Sequence, residues 1–280
     1  MIELANAKIN LCLNVVNRRV DGYHELEMIM VPLELHDVLT IDKAKETIIT
    51  SDDVNMPCDE RNTIYRAIML MNETYNLETN FKVHVEKRIP MQAGLAGGSS
   101  DGAATIRAIN KLMNLSISLE DLIPLAKKVG ADVPFCLVNK PAIVKGIGEF
   151  ITPFEIQNDY SVLLIKPSLG VSTKEAFDML DFTTAIHPNV ELMRTGLIEG
   201  NDRMVKDNLL NTLEQSAFKI VPEINTIKQE LTQLGFDKVL MSGSGSTVFA
   251  LSENDQLINS VEEILRTKYE FVRKTKIKGH

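Results

Sequence analysis

The chain of 280 residues carries 30 Lys and Arg against 38 Asp and Glu, a formal charge of −8 with the histidines neutral. With 44% hydrophobic and 24% charged residues it has enough apolar side chain for a sizeable core, which excludes disorder as its main state. The acid excess argues against an electrostatic grip on nucleic acid or an anionic membrane, because both need a clustered basic surface. Cys12, Cys58 and Cys136 are odd in number and far apart, so they read as reduced, mostly buried thiols. Met1-Ile-Glu-Leu-Ala-Asn6 lacks the basic and apolar character of a signal peptide, and no apolar run approaches the ~20 residues of a membrane helix. The expectation is a soluble cytoplasmic protein.

In chain order, a β-branched, alternating stretch over residues 27–42 reads as strand. Phe81, Val83 and Val85 alternate with Lys82, His84 and Glu86, the pattern of a half-buried strand. Helical spacing follows at Ile106, Ile109 and Met113. It recurs at Leu119, Leu122, Ala126 and Val129, with Ser118 as N-cap and Gly130 as stop. Gly146-Ile-Gly148 and Pro153 suggest a boundary, giving domains 1–153 and 154–280. Beyond it come a buried strand at 162–165 and a helix opened by Pro222, with a stripe of Ile224, Ile227, Leu231 and Leu234 that Gly235 ends. Strands at 238–241 and 247–251 are joined by a glycine-serine turn, and a last amphipathic helix runs through Leu257, Ile258, Val261, Ile264 and Leu265. The order is mixed α/β in two domains, without repeats. Met28, Met30, Met69 and Met71 read as core filling. His36, His84, His187 and His280 have no metal-ligand spacing.

The segment that carries chemistry is Pro90, Met91, Gln92, Ala93, Gly94, Leu95, Ala96, Gly97, Gly98, Ser99, Ser100 and Asp101, between a strand and a helix. Gly94, Gly97 and Gly98 allow close backbone approach, and a helix start offers unpaired N–H groups at the positive end of its dipole. Phosphate is the natural guest. Ser99 and Ser100 add hydroxyls that can cap the helix, bond phosphate oxygens or reach a magnesium ion. Neither the Walker pattern nor GxGxxG is satisfied. Gly102 inside the helix costs about 1 kcal/mol relative to alanine, which favours a packing or close-approach reason for it.

Ala7-Lys8-Ile9-Asn10-Leu11, Gly130-Ala131-Asp132-Val133-Pro134-Phe135 and Ser242-Gly243-Ser244-Gly245-Ser246-Thr247 join this loop in an ordered set. Together they resemble the GHMP small-molecule kinases. Asp21-Gly-Tyr-His-Glu-Leu26 narrows the resemblance to the branch acting on cytidyl-diphosphate methylerythritol, on the non-mevalonate route to isoprenoids. The likeness spans nearly the whole chain and is weakest over 181–206. It implies a ribosomal-S5-like amino-terminal domain and a ferredoxin-like carboxy-terminal domain. The implied activity is ATP-dependent phosphorylation of the 2-hydroxyl of that small-molecule substrate by a monomer or homodimer, with Mg²⁺ held mostly by phosphates and water.

The resemblance further implies Lys8 and Asp132 as the catalytic pair, Asp132 taking the hydroxyl proton and Lys8 orienting it and offsetting charge. It implies residues 90–101 and Asn62 on the nucleotide. It also implies Asn10, Tyr23, His24, Thr173, Phe177 and Gly243 on the substrate, with Tyr23, His24 and Phe177 around the cytosine. In isolation each reads more plainly. Asp132 is then a turn residue, Lys8 a solvated lysine, Asn62 an N-cap, His24 a loop histidine, Phe177 a core side chain and 242–247 a hairpin turn. The chain departs from the family pattern at Asn6, where proline is usual, at Leu95 and Ala96 within the glycine run, and at Gly102. The rival readings are a sibling kinase for mevalonate, homoserine or a sugar, and a catalytically silent nucleotide sensor.

Overall fold

Two long strands open the chain, β1 (Ile2–Arg18) and β2 (His24–Ala44), and they pair with each other. The computed structural model describes residues 1–279; His280, one of the histidines named above, lies outside the described residues. Along β1 residues 5–13 are buried without interruption, so a period-2 pattern is absent from the sequence although the segment is extended. The chain condenses into two units. One comprises Met1–Ala7, Leu35–Met91 and Ala96–Asn139; the other comprises Lys8–Glu34, Gln92–Leu95 and the chain from Lys140 on.

In the first unit β4 (Asn80–Glu86) runs antiparallel to the second half of β2, with Val38 opposite Glu86, and parallel to β3 (Ile48–Ser51). Phe81, Val83 and Val85 are fully buried, as the alternation predicts. Four helices complete the unit: α1 (Thr63–Tyr75), α2 (Gly97–Leu112), α3 (Leu119–Val129) and α4 (Val133–Val138). Ser118 Oγ caps α3 by accepting from the Asp121 N–H at 3.1 Å, and Gly130 ends it. Gly102 has a packing reason: a Cβ there would lie 3.3 Å from Thr63 Cβ and 3.4 Å from a Val129 methyl, so its absence lets α1 and α3 approach α2 closely. Met69 is 48% exposed on α1, whereas Met28, Met30 and Met71 are buried. The core-filling reading of Met69 is thereby corrected, because it lies on the outer face of an amphipathic helix.

In the second unit the first half of β2 pairs antiparallel with β5 (Ala142–Gly146), and β5 with β6 (Phe150–Pro153). A separate antiparallel sheet has the order β10 (Phe271–Lys276), β7 (Ser161–Lys166), β9 (Val248–Ser252), β8 (Val239–Met241). With α9 (Glu223–Gln233) before β8 and α10 (Asp255–Leu265) between β9 and β10, its connectivity is the β-α-β-β-α-β of a ferredoxin-like fold. Residues 162–165 of β7 are completely buried, and Ile224, Ile227 and Leu231 of α9 are buried as their spacing predicts. Between β7 and α9 lie four short helices, α5 (Thr173–Asp178), α6 (Val190–Glu199), α7 (Asp202–Asp207) and α8 (Glu214–Ile220). Asn189 and Asn201 cap the middle two. Cys12 and Cys136 are buried and Cys58 is exposed. Burial pushes the Cys12 thiol up to about 12, so it stays protonated and inert. No helix of the described residues is long and apolar enough to cross a membrane.

Candidate active site

In the first unit, the second half of the glycine loop forms the opening turns of α2. Ala96 occupies the N-cap position in a left-handed conformation, φ 58°, and offers no side-chain cap to the helix. The first N–H groups of a helix have no partner within it, so Gly97, Gly98 and Ser99 present donors at the positive end of the dipole. Ser100 is buried and donates its hydroxyl to the Asn6 carbonyl at 2.7 Å. The Thr63 hydroxyl bonds the Gly98 carbonyl at 2.5 Å, tying the start of α1 to that of α2. Asn62 caps α1: its Oδ1 accepts from the Ile64 N–H at 2.8 Å and its amide donates to the Pro57 carbonyl at 2.6 Å. Asp132 stands half-buried at the N-cap position of α4, where its carbonyl accepts from the Cys136 N–H at 3.0 Å.

Beneath α2 lies a buried ionic cluster that motif reading missed. Lys87, at the end of β4, donates to Asp37 Oδ2 on β2 and, at 2.8 Å, to Asp101 Oδ2 on α2. The three side chains are 6%, 0% and 3% exposed. Burial drives the Asp101 carboxyl above its ordinary range, Lys87 opposes that, and the neighbouring Asp37 charge reinforces it. Burial pulls the Lys87 ammonium down, but the two carboxylates outweigh it and hold it above its usual value.

In the second unit, Lys8 and Asn10 lie two residues apart on β1 and share a face. Lys8 is 4% exposed and Asn10 1%, so Lys8 is not the solvated lysine it resembles in isolation. Lys8 Nζ donates to Asn10 Oδ1 at 2.9 Å, and the Asn10 amide points at Met28 Sδ, 3.2 Å away. The turn between β8 and β9 closes over this pair. A Cβ on Gly243, φ 59°, would sit 3.2 Å from Lys8 Nζ, 3.3 Å from the Gly94 carbonyl and 3.5 Å from Asn10 Oδ1. Only glycine permits that approach at that φ.

The first half of the glycine loop is pinned to the same turn. Thr247 N–H donates to the Ala93 carbonyl at 3.2 Å, the Ser242 hydroxyl to the Gly94 carbonyl at 3.0 Å, and Lys8 N–H to the Leu95 carbonyl at 3.1 Å. Two further residues, absent from the motif set, brace the turn from below. The Asn211 amide donates to the Met241 and Gly243 carbonyls at 2.9 and 2.8 Å, and Glu214 accepts from Met241 N–H at 3.0 Å while paired with Lys228 at 2.6 Å.

An aromatic group stands at the start of β2. The His24 imidazole stacks on Phe177 of α5 with centroids 4.8 Å apart and 25° between planes, and Phe182 lies 6.2 Å from it at 18°. Phe177 is therefore half-exposed against a ring rather than sealed in the core. Tyr23, next to His24, is 61% exposed. Partial burial, then the Arg18 charge, lowers the His24 pKa, so the ring is neutral at pH 7 with one donor and one acceptor. Thr173 and Ser244 share a hydrogen bond at 2.9 Å.

The GHMP kinases N terminal domain description matches residues 62–140 and the GHMP kinases C terminal description matches 190–270. The 4-diphosphocytidyl-2-C-methyl-D-erythritol kinase of Caldicellulosiruptor saccharolyticus is 39% identical over 95% of this chain and 96% of its own. The protein of that name from Enterococcus faecalis is 41% identical over 90% of each. The crystal structure of a 4-(cytidine 5'-diphospho)-2C-methyl-D-erythritol kinase superposes with a TM-score of 0.84 at 32% identity, covering all of both chains. A homoserine kinase from Cytophaga hutchinsonii shares the fold, with a TM-score of 0.77 at 20% identity. The chain belongs to the GHMP kinase family, within the group of the 4-diphosphocytidyl-2-C-methyl-D-erythritol kinases.

Proposed function

We propose that this chain is an ATP-dependent kinase that phosphorylates the 2-hydroxyl of 4-diphosphocytidyl-2-C-methyl-D-erythritol. The observation that carries the reading is identity of 39% and 41%, over 90% or more of the chain, to two kinases of that name. Mevalonate and homoserine kinases resemble it at 14% and 20% identity, which supports a common fold and no common substrate.

In this reading the helix start at residues 97–101 and Asn62 serve the nucleotide, together with residues 90–96. The substrate hydroxyl attacks the γ-phosphorus; the new O–P bond forms as the bond to ADP breaks, and the proton passes to the Asp132 carboxylate. Lys8 offsets charge on the reacting oxygens, with its ammonium held by Asn10. Asn10, Thr173 and Gly243 face the polyol and its phosphates. Tyr23, His24 and Phe177 take the cytosine, the neutral imidazole offering a donor and an acceptor to its edge. Magnesium enters with the nucleotide, as it commonly keeps waters and phosphates as ligands. No group of three His, Cys, Asp or Glu able to cage a metal occurs among the described residues. Residues 1–153 carry the nucleotide loop and Asp132, and 154–280 the carboxy-terminal half of the substrate contacts.

Coupled ADP release tests this. ATP, magnesium and the cytidyl substrate are run beside mevalonate, homoserine and galactose, with Asp132→Asn as control. Turnover confined to the cytidyl compound and lost in the variant supports the reading. Equal turnover on another alcohol assigns a sibling activity instead.

A further inference from the structure

The geometry points to Lys87 as a positioning residue for nucleotide binding: its buried ammonium ties the peptide leading into the glycine loop to the helix that leaves it, and sets the charge under the first turn of α2. This rests on the reading of the α2 start as a phosphate site.

One carboxylate, Asp37, fixes the approach to the loop, because its Oδ1 accepts both the Arg88 and the Ile89 N–H groups, at 2.5 and 2.8 Å. Its other oxygen takes Lys87, whose Nζ reaches on to Asp101 inside α2. The same Nζ lies 3.5 Å from where a Gly97 Cβ would be, directly against the first residue of the helix. Lys87 therefore touches the helix end of the segment that must hold an anion and, through Asp37, fixes its approach.

Burial raises the Asp101 carboxyl to about 7, so above that pH one ammonium faces two carboxylates and the charges in the cluster do not cancel; Asp101 Oδ1 is buried with no hydrogen-bond partner among the described residues. An excess negative charge beneath a helix terminus works against a phosphate above it. Without Lys87 the two carboxylates would repel each other and the incoming nucleotide, and Asp101 would lose its tie to β4. The loss falls on nucleotide binding, since nothing in the cluster belongs to the proposed cytidyl contacts.

The test uses the full chain at about pH 8, where Asp101 is ionised, with ATP as the probe, in equilibrium binding and in steady-state kinetics. Lys87→Met is expected to weaken ATP binding and raise the ATP KM about tenfold or more, while kcat and the KM of the second substrate move by less than about twofold. Asp101→Asn, which keeps the shape and removes the excess charge, is expected to lower the ATP KM, and added to Lys87→Met it restores part of the lost affinity. A folded Lys87→Met protein that binds ATP as the parent does overturns the inference. Should that variant fail to fold, an Asp101→Asn protein whose ATP KM equals the parent's overturns it instead. A parent chain that binds no ATP defeats the nucleotide reading itself, which keeps the two failures apart.

Discussion

Gly94→Ala tests the packing of the glycine loop on the β8–β9 turn. Gly94 has φ 73°, and a Cβ there would lie 2.2 Å from the Ser242 carbonyl oxygen and 3.0 Å from that of Gly245. A carbon and a carbonyl oxygen need about 3.3 Å, so loop and turn must part by roughly 1 Å. That separation breaks the Ser242 hydroxyl bond to the Gly94 carbonyl and the Thr247 N–H bond to the Ala93 carbonyl. At about 1 kcal/mol for each hydrogen bond, plus about 1–2 kcal/mol for a left-handed alanine, the loss is about 3–4 kcal/mol. Gly22→Ala is the internal control, because Gly22 has φ 86° with nothing within 4 Å of its Cβ position and incurs the backbone cost alone. Urea unfolding followed by circular dichroism reads both variants. If Gly94→Ala costs no more than Gly22→Ala, the contact with the turn is not the constraint described.

Ala96→Gly relieves a left-handed alanine at the start of α2 and is expected to stabilise the chain by about 0.5–1 kcal/mol, read as an increased urea midpoint. Asn62→Ala removes the α1 cap and is expected to cost about 1 kcal/mol by the same measurement. Because burial raises the Asp101 carboxyl above its unfolded value, the folded chain retains a proton there that the unfolded chain releases. Stability from this group is thus greatest at low pH and falls as pH rises from the unfolded carboxylate range through the folded value. Asp101→Asn is expected to flatten that slope, so its advantage over the parent in urea midpoint grows between about pH 5 and about pH 8.

Local signals located the elements whose burial is one-sided. The alternation of β4, the Ser118 cap and Gly130 stop of α3, and the stripe of α9 all appear where the sequence predicts them. β1 offers no alternation to read, because a strand buried on both faces loses it. The composition of Gly97-Gly-Ser-Ser-Asp101 is that of a loop, yet these residues are helical, with Gly97 packed against Ile89 and Ser100 bonded to Asn6. Contacts over long sequence separations had no local signal. Lys87 meets Asp37 across 50 residues, and Asn211 braces a turn 30 residues away. The short helices α6 and α7 were passed over, although Asn189 and Asn201 mark their starts.

The most direct test of the central claim is the product itself. After incubation of the chain with ATP, magnesium and 4-diphosphocytidyl-2-C-methyl-D-erythritol, phosphorus NMR is expected to show a new phosphomonoester on the 2-hydroxyl, with the diphosphate intact and ADP formed in equal amount. With Asp132→Asn the signal is expected to be absent. A phosphomonoester at another position, or one formed equally well by Asp132→Asn, would contradict the account.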